Sequence, residues 1–270
     1  MSSPAESSRF DHPQCAVDRR VSAGGNAALN GILASLPEAE FGRLREHASK
    51  VHLSTGQVLY EPGADVTQVY FPVTAIVSLL HLSETGESVE VAAVGNEGMV
   101  GLSTLLGGSG TGRAVVQTGG AAFQLPRRAV EAEIERSAVL LRTVFNYALA
   151  VLGQMAQTAV CNRHHSIHQQ LCRWLLFRLD RAGGSALFVT HETIAGLLGV
   201  RREAVSTEAS KLRDQDAIRC VRGRIIVLDR AKLESGSCEC YRNVKKHHDR
   251  QSPFRHHDHG SFGRSGAMIQ

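Results

Sequence analysis

The chain has 270 residues, enough for two domains with real cores, and a net charge of only +4. That charge is uneven: residues 30–162 carry eight basic and twelve acidic groups, residues 163–235 thirteen and eight, and residues 236–270 six and three, so only the second half suits a polyanion. No apolar run reads as a membrane span or signal segment. The six cysteines (Cys15, Cys161, Cys172, Cys220, Cys238 and Cys240) are too scattered for a disulfide framework, so a cytoplasmic protein without a membrane partner is expected.

Residues 1–26 are polar, carry Ser, Pro and Gly without an apolar period, and are expected to be disordered. Residues 27–136 read as a β-roll. A helical lead-in through Ile32, Leu33, Leu36, Phe41 and Leu44 gives way near Lys50 to short β-prone runs, such as Val58-Leu59-Tyr60 and Val89-Glu90-Val91-Ala92. Turn signals such as Ser54-Thr55-Gly56 and Thr85-Gly86-Glu87 separate them, the texture of a compact barrel or sandwich.

Residues 137–162 contain no proline and only Gly153, and read as one long helix. Leu141, Val144, Ala148, Val151, Met155 and Thr158 follow a 3-4 spacing and are assigned as a homodimer seam, whereas Leu140, Leu149 and Leu152 are expected to pack on the barrel. A single helix buried in its own domain is the rival reading.

Residues 163–240 read as a winged helix-turn-helix. After a helix burying Leu171, Trp174, Leu175 and Leu179, Thr190 is placed to cap the next one, with Glu192 in its first turn and Ile194, Leu197 and Leu198 on its apolar face. Gly199 supplies a sharp turn, and a second helix begins near Arg201 and buries Val205 and Leu212. Arg202, Glu203, Ser206 and Thr207 lie at i, i+1, i+4 and i+5, one shared face suited to the major groove of duplex DNA. Arg201 and Lys211 complete the DNA-contacting set on this helix. The run 219–228 reads as a hairpin turning at Arg222-Gly223, a wing whose Arg222 and Arg224 reach phosphates.

The tail, 241–270, is basic and His-rich (His247, His248, His256, His257 and His259) and is expected to be disordered. Its histidines with Cys238 and Cys240 raise the possibility of zinc, but Cys-X-Cys is a poor spacing for a structural site, and no metal is assigned. Cys161, His164, His165 and His168 sit close in sequence without forming a base–orienter set. With no phosphate-binding glycine loop or paired-carboxylate motif either, no enzyme is expected.

The order of β-roll, long helix and winged helix-turn-helix resembles the cyclic-AMP receptor protein/Fnr (Crp/Fnr) family of transcription regulators over about residues 30–240, most closely at Gly199-Val200-Arg201-Arg202-Glu203-Ala204-Val205-Ser206. The resemblance implies an α+β fold and a dimeric regulator reading a pseudo-palindromic operator, with RNA polymerase as the partner of an activator. It implies base reading by Arg202 and Glu203, but the family's second arginine falls at Thr207, which alters the half-site preference. In the sensor, the family's Gly-Glu-Leu step and Arg-Ser or Arg-Thr pair hold a cyclic nucleotide. Here Gly98, Met99, Gly101 and Arg113 mark the ligand-binding positions, with Met99 in place of the carboxylate and Ala114 in place of the hydroxyl, so cyclic AMP is not expected as effector. An iron–sulfur cluster is excluded, because Cys15 is alone in its region and 30–160 has no cysteine, and no other cofactor is identified. At Cys238-Glu239-Cys240-Tyr241 the resemblance implies packing. The alternative is a ligand-sensing interaction module without specific DNA binding.

Overall fold

The computed structural model describes residues 17–18, 30–105, 107–108, 112–182 and 184–251, with the side chains of 17–18 and 247–251 outside the description. The elements run β1 (Val17–Asp18), α1 (Gly31–Ala34), α2 (Glu38–His47), β2 (Ser49–Leu53), β3 (Val58–Tyr60), β4 (Gln68–Pro72), β5 (Ile76–Leu82), β6 (Ser88–Val94), α3 (Leu102–Leu105), β7 (Arg113–Thr118) and β8 (Gly120–Pro126). There follow α4 (Arg127–Arg136), α5 (Ala138–His164), α6 (Ile167–Ala182), β9 (Ala186–Phe188), α7 (His191–Leu198), α8 (Arg202–Asp214), β10 (Ile218–Val221), β11 (Arg224–Val227), α9 (Arg230–Gly236) and α10 (Glu239–Gln251).

The first half is a roll of two four-stranded antiparallel sheets, ordered β1-β2-β8-β4 and β3-β7-β5-β6. Alternation in the strands turns Val51, Leu53, Val69, Phe71, Val77, Val116, Phe123 and Leu125 into one core. Asn30 begins the roll's helical lead: its side-chain amide, fully buried, donates to the carbonyls of Pro72 and Gly98, and its Oδ1 accepts from Ile32 N. The pairing of Val17 with Val51 gives part of the expected disordered N-terminus a place as an edge strand; the rest of residues 1–26 lies outside the described residues.

Helix α5 begins at Ser137, whose hydroxyl accepts from Leu140 N. Its inner face (Leu140, Val144, Tyr147, Ala150, Val151, Gln154, Thr158 and Cys161) is buried within the chain. The expected seam therefore splits. Val144, Val151 and Thr158 turn inward, and Ala148 and Met155 are half-buried, whereas Leu141 stays outside. Leu149 and Leu152, expected on the barrel, are exposed instead, in a row Leu141, Phe145, Leu149, Leu152, Val160. A 3.6-residue helix presents two such rows, and sequence spacing does not say which one the roll covers. The same two apolar faces make α5 the one helix among the described residues long and apolar enough by composition to cross a membrane, contrary to the reading that no such run exists.

The second core lies around α6, with Leu171, Leu175 and Leu176 packed against Ile194, Val205, Leu212, Ile218 and Ile225. Leu80 from β5 joins this core, so roll and second half are continuous. The chain beyond Tyr241 is ordered as α10 as far as Gln251, correcting the expected disorder there. Its stripe of Cys240, Tyr241 and Val244 is buried, and the Tyr241 hydroxyl donates to Asp180.

Two ion pairs fasten α6 to the roll. Arg181 reaches Glu97 at 2.7 Å, and Arg178 pairs with Glu90, with Ser78 bonded to both. Burial lowers the pKa of the Arg178 guanidinium, and the carboxylate of Glu90 opposes that shift. Such a pair is valued by what removal of one partner leaves behind. Glu90→Leu alone is expected to destabilise the fold by about 3–5 kcal/mol by stranding Arg178, and Glu90→Leu with Arg178→Met to restore most of that loss. Urea midpoints of the two variants against the parent chain check this.

Candidate nucleic-acid interface

Helix α7 starts where Thr190 Oγ1 accepts from Thr193 N at 3.1 Å. It ends at Gly199, whose φ of +67° is left-handed and strained for any residue with a side chain. The turn aims α8 outward. Val205, Ala209 and Leu212 are buried under it, while Arg201, Arg202, Glu203, Thr207 and Lys211 are exposed. Ser206 is half-buried and its hydroxyl pairs with His191 Nδ1 at 3.1 Å, so it is held against α7 rather than standing exposed with the other five. Burial, then the charge of Arg202, lowers the pKa of His191. Arg202 lies 3.7 Å from Glu192 with both side chains exposed, and Thr207 donates to the Glu203 carbonyl. Lys211 donates to Glu208, which also meets His168 Nδ1 at 3.0 Å.

Strands β10 and β11 pair from Ile218↔Val227 to Val221↔Arg224, leaving Arg222-Gly223 as a two-residue turn with Gly223 at φ +68°. Sequence reasoning missed β9, only three residues long, which makes this a three-stranded wing and supplies Phe188. The Arg224 guanidinium sits 4.3 Å from the centroid of that ring, which is 66% exposed. Arg202, Arg222 and Arg224 then line one open cleft of about 250 Å³ with His191 and Glu192. Of the expected residues of α8 it is Arg202 that the cleft brings to the wing arginines; Arg201, Glu203, Ser206, Thr207 and Lys211 do not line it.

A second cavity, of about 220 Å³, lies between the roll and α5. Three of the four expected ligand positions line it: Met99, Gly101 and Arg113, together with Leu79, Tyr147 and Val151. Gly98 does not; it lies against Tyr147, and a Cβ there would come within 2.4 Å of that ring. Met99 is buried, and its carbonyl accepts from the Tyr147 hydroxyl at 3.0 Å. Arg113 is engaged with Glu61 at 2.7 Å. Burial pushes the Tyr60 hydroxyl, also on the lining, up to about 12.

Cys161, His165, Cys238 and Cys240, to which sequence spacing assigned no metal, converge at the far end of α5, their ligand atoms all within 4.8 Å of one another. A hydrogen bond from Cys161 holds the Cys238 thiol below its usual range. The signal was present in Cys161-X-X-X-His165, one helical turn apart, but the partner cysteines follow about 75 residues later.

A model of the Crp-like helix-turn-helix domain matches residues 169–235, and one of the cyclic nucleotide-binding domain matches residues 50–137. The chain thus carries a Crp-like helix-turn-helix domain behind a cyclic nucleotide-binding domain, the order of domains its Crp/Fnr-type resemblance implied. It is a transcription regulator in build. FixK2 of Bradyrhizobium japonicum has the same fold, at 17% identity and TM-score 0.62 over 71% of this chain and 98% of that one. A CRP-family transcriptional regulator of Thermus thermophilus gives 22% and 0.58 over 69% and 95%, and the c-di-GMP responsive global regulator CLP of Xanthomonas campestris 15% and 0.57 over 71% and 99%. At these identities the likeness is one of fold. No curated protein sequence matches the chain.

Proposed function

We propose that this Crp/Fnr-type protein acts in the cytoplasm as a homodimer on a pseudo-palindromic operator, with half-sites about one helical turn apart, and that its effector is not cyclic AMP. The observation that carries the DNA-reading role is the single exposed surface on which Arg202 meets the wing arginines Arg222 and Arg224. Arg202 and Glu203 read base edges; Arg201, Lys211, Arg222 and Arg224 hold phosphates; Thr207 supplies a smaller contact where the family has an arginine, and Ser206 acts chiefly by fixing α8 on His191. No step of this role is chemical, so no catalytic residue is assigned.

Dimerisation is assigned to the exposed row of α5. Phe145 and Leu152 are 58% and 60% exposed, and with Leu141, Leu149 and Val160, at steps of four, four, three and eight residues, they form an apolar stripe along one side of the helix. The inward residues Val144, Val151 and Thr158 support the seam from behind.

The cavity beside Met99 is mostly apolar, has Met99 at the position of the ribose carboxylate, and Arg113 on its lining is already paired with Glu61. It fits a small, largely apolar effector better than a cyclic nucleotide. The Xanthomonas relative is c-di-GMP responsive, so cyclic AMP is not the one signal read by this fold.

Selection of bound sequences from random duplex DNA is expected to give a two-fold symmetric site. Arg202→Ala costs about 1–3 kcal/mol at one base pair per half-site and relaxes choice there, whereas Arg222→Ala weakens binding to all sequences and lowers the salt slope by about 1. Equal weakening on every sequence by Arg202→Ala would remove its base-reading role. Leu152→Glu is expected to yield monomers in sedimentation with little loss of fold, and a dimer unchanged by that substitution would place the seam elsewhere. Calorimetry with cyclic AMP is expected to show no binding at micromolar concentration; binding that also tightened the operator complex would contradict the assignment of the pocket.

A further inference from the structure

Outside the DNA surface and the sensor cavity, the most concentrated chemistry in the molecule lies where α5, α6 and α10 meet. Cys161 closes the last turns of α5, and His165 is the residue at its end. Cys238 and Cys240 flank the start of α10. The three cysteines are buried, forming a small cluster of their own, and His165 is nearly so. We propose that Cys161, His165, Cys238 and Cys240 form a structural zinc site that clamps the C-terminal helix onto the joint between the long helix and the reading head.

The distances suit one tetrahedral ion. Zinc bonds of ~2.3 Å to sulfur and ~2.0–2.1 Å to nitrogen place two sulfurs about 3.8 Å apart and a sulfur and a nitrogen about 3.5 Å apart. Here Cys161 Sγ lies 3.6 Å from Cys238 Sγ, and Cys240 Sγ lies 3.4 Å from His165 Nδ1. The sulfur pair is far outside bonding distance for a disulfide. Four ligand atoms within 4.8 Å also leave no room for the inorganic sulfides of an iron–sulfur cluster. Three thiolates and an imidazole are soft donors, which select zinc over magnesium or calcium.

The surroundings are those of a metal site rather than of a packed cysteine cluster. His165 turns Nδ1 toward the sulfurs and Nε2 toward Glu239 Oε1 at 3.3 Å, the carboxylate–histidine arrangement that fixes the tautomer of a ligating imidazole. Gln157 Nε2 donates to Cys240 Sγ at 3.1 Å, a bond that suits a thiolate. On binding, the thiol protons leave to solvent and the ion takes their place, so no redox partner is needed.

The decisive experiment measures zinc in the full chain, purified under reducing conditions and washed with a chelator that strips weakly held metal. One zinc per chain is expected, and it should persist when His247, His248, His256, His257 and His259 are all replaced by alanine. Cobalt offered to the zinc-free chain should give the intense visible bands of a tetrahedral thiolate site, lost in Cys240→Ser and kept in Cys220→Ser. Chelation strong enough to remove the zinc should lower the melting temperature. Because Cys240→Ser could itself unfold α10, Glu239→Gln provides a second arm: it touches no metal, and should weaken zinc affinity by about 10–100-fold while the zinc-saturated protein keeps its fold. The proposal is overturned by a washed chain without zinc whose cobalt spectrum is weak and octahedral, by metal that disappears with the tail histidines, or by a Cys161–Cys238 disulfide that takes up no zinc after reduction.

Discussion

A helix with two apolar faces constrains everything else in this molecule. Helix α5 is 27 residues long, about 40 Å, and a single chain covers only one of its sides. The roll takes the side bearing Leu140, Val144, Tyr147 and Val151, and in doing so closes the cavity beside Met99. The far end of the same helix packs on α10 and is tied to α6 by hydrogen bonds from Arg173 to Thr158 and from Gln170 to the Cys161 carbonyl. The row with Phe145 and Leu152 is left over, and its apolar area is too long and too regular to be an accident of surface composition.

The roll and the reading head are joined by charge as well as by α5. Arg178 and Arg181 from α6 reach Glu90 and Glu97 of the roll, and Leu80 lies in the head's core. Helix α7 packs on β6, and a Cβ added at the turn glycine of the helix-turn-helix, Gly199, would meet Val89 at ordinary contact distance. A change in the roll is therefore felt by the head through direct contacts, not only through the long helix. A ligand that prefers one arrangement of these contacts shifts the population of the other by no more than that preference.

The split of charge along the sequence acquires a spatial meaning here. The acidic half supplies the carboxylates, Glu90 and Glu97, that neutralise the two α6 arginines at the junction. The arginines of α8 and the wing have no such buried partners. Arg222 and Arg224 stand exposed, with Arg224 resting on Phe188, so the basic excess is spent on the outer surface.

Local chemistry was legible from the residues alone. The Thr190 cap, the Gly199 turn, the apolar row under α8 and the Arg222-Gly223 hairpin each follow from short-range rules, and each lies where those rules place it. The sequence also determined the order of roll, long helix and reading head, because hydrophobic period and turn residues change sharply at Lys50, Pro126 and Thr190. What it did not determine were relations between distant segments. Spacing alone could not choose between the two apolar faces of α5, because both repeat at the same interval and only packing against the roll separates them. Three residues at Ala186–Phe188 are too few to show a period, and become a strand only because β11 offers an edge. The helix after Cys240 is amphipathic, but its apolar face has meaning only beside α5 and α6. The meeting of Cys161 and His165 with Cys238 and Cys240 was likewise decided by tertiary structure, because ligand geometry depends on distance in space, and chain spacing constrains that distance only within a single turn or loop.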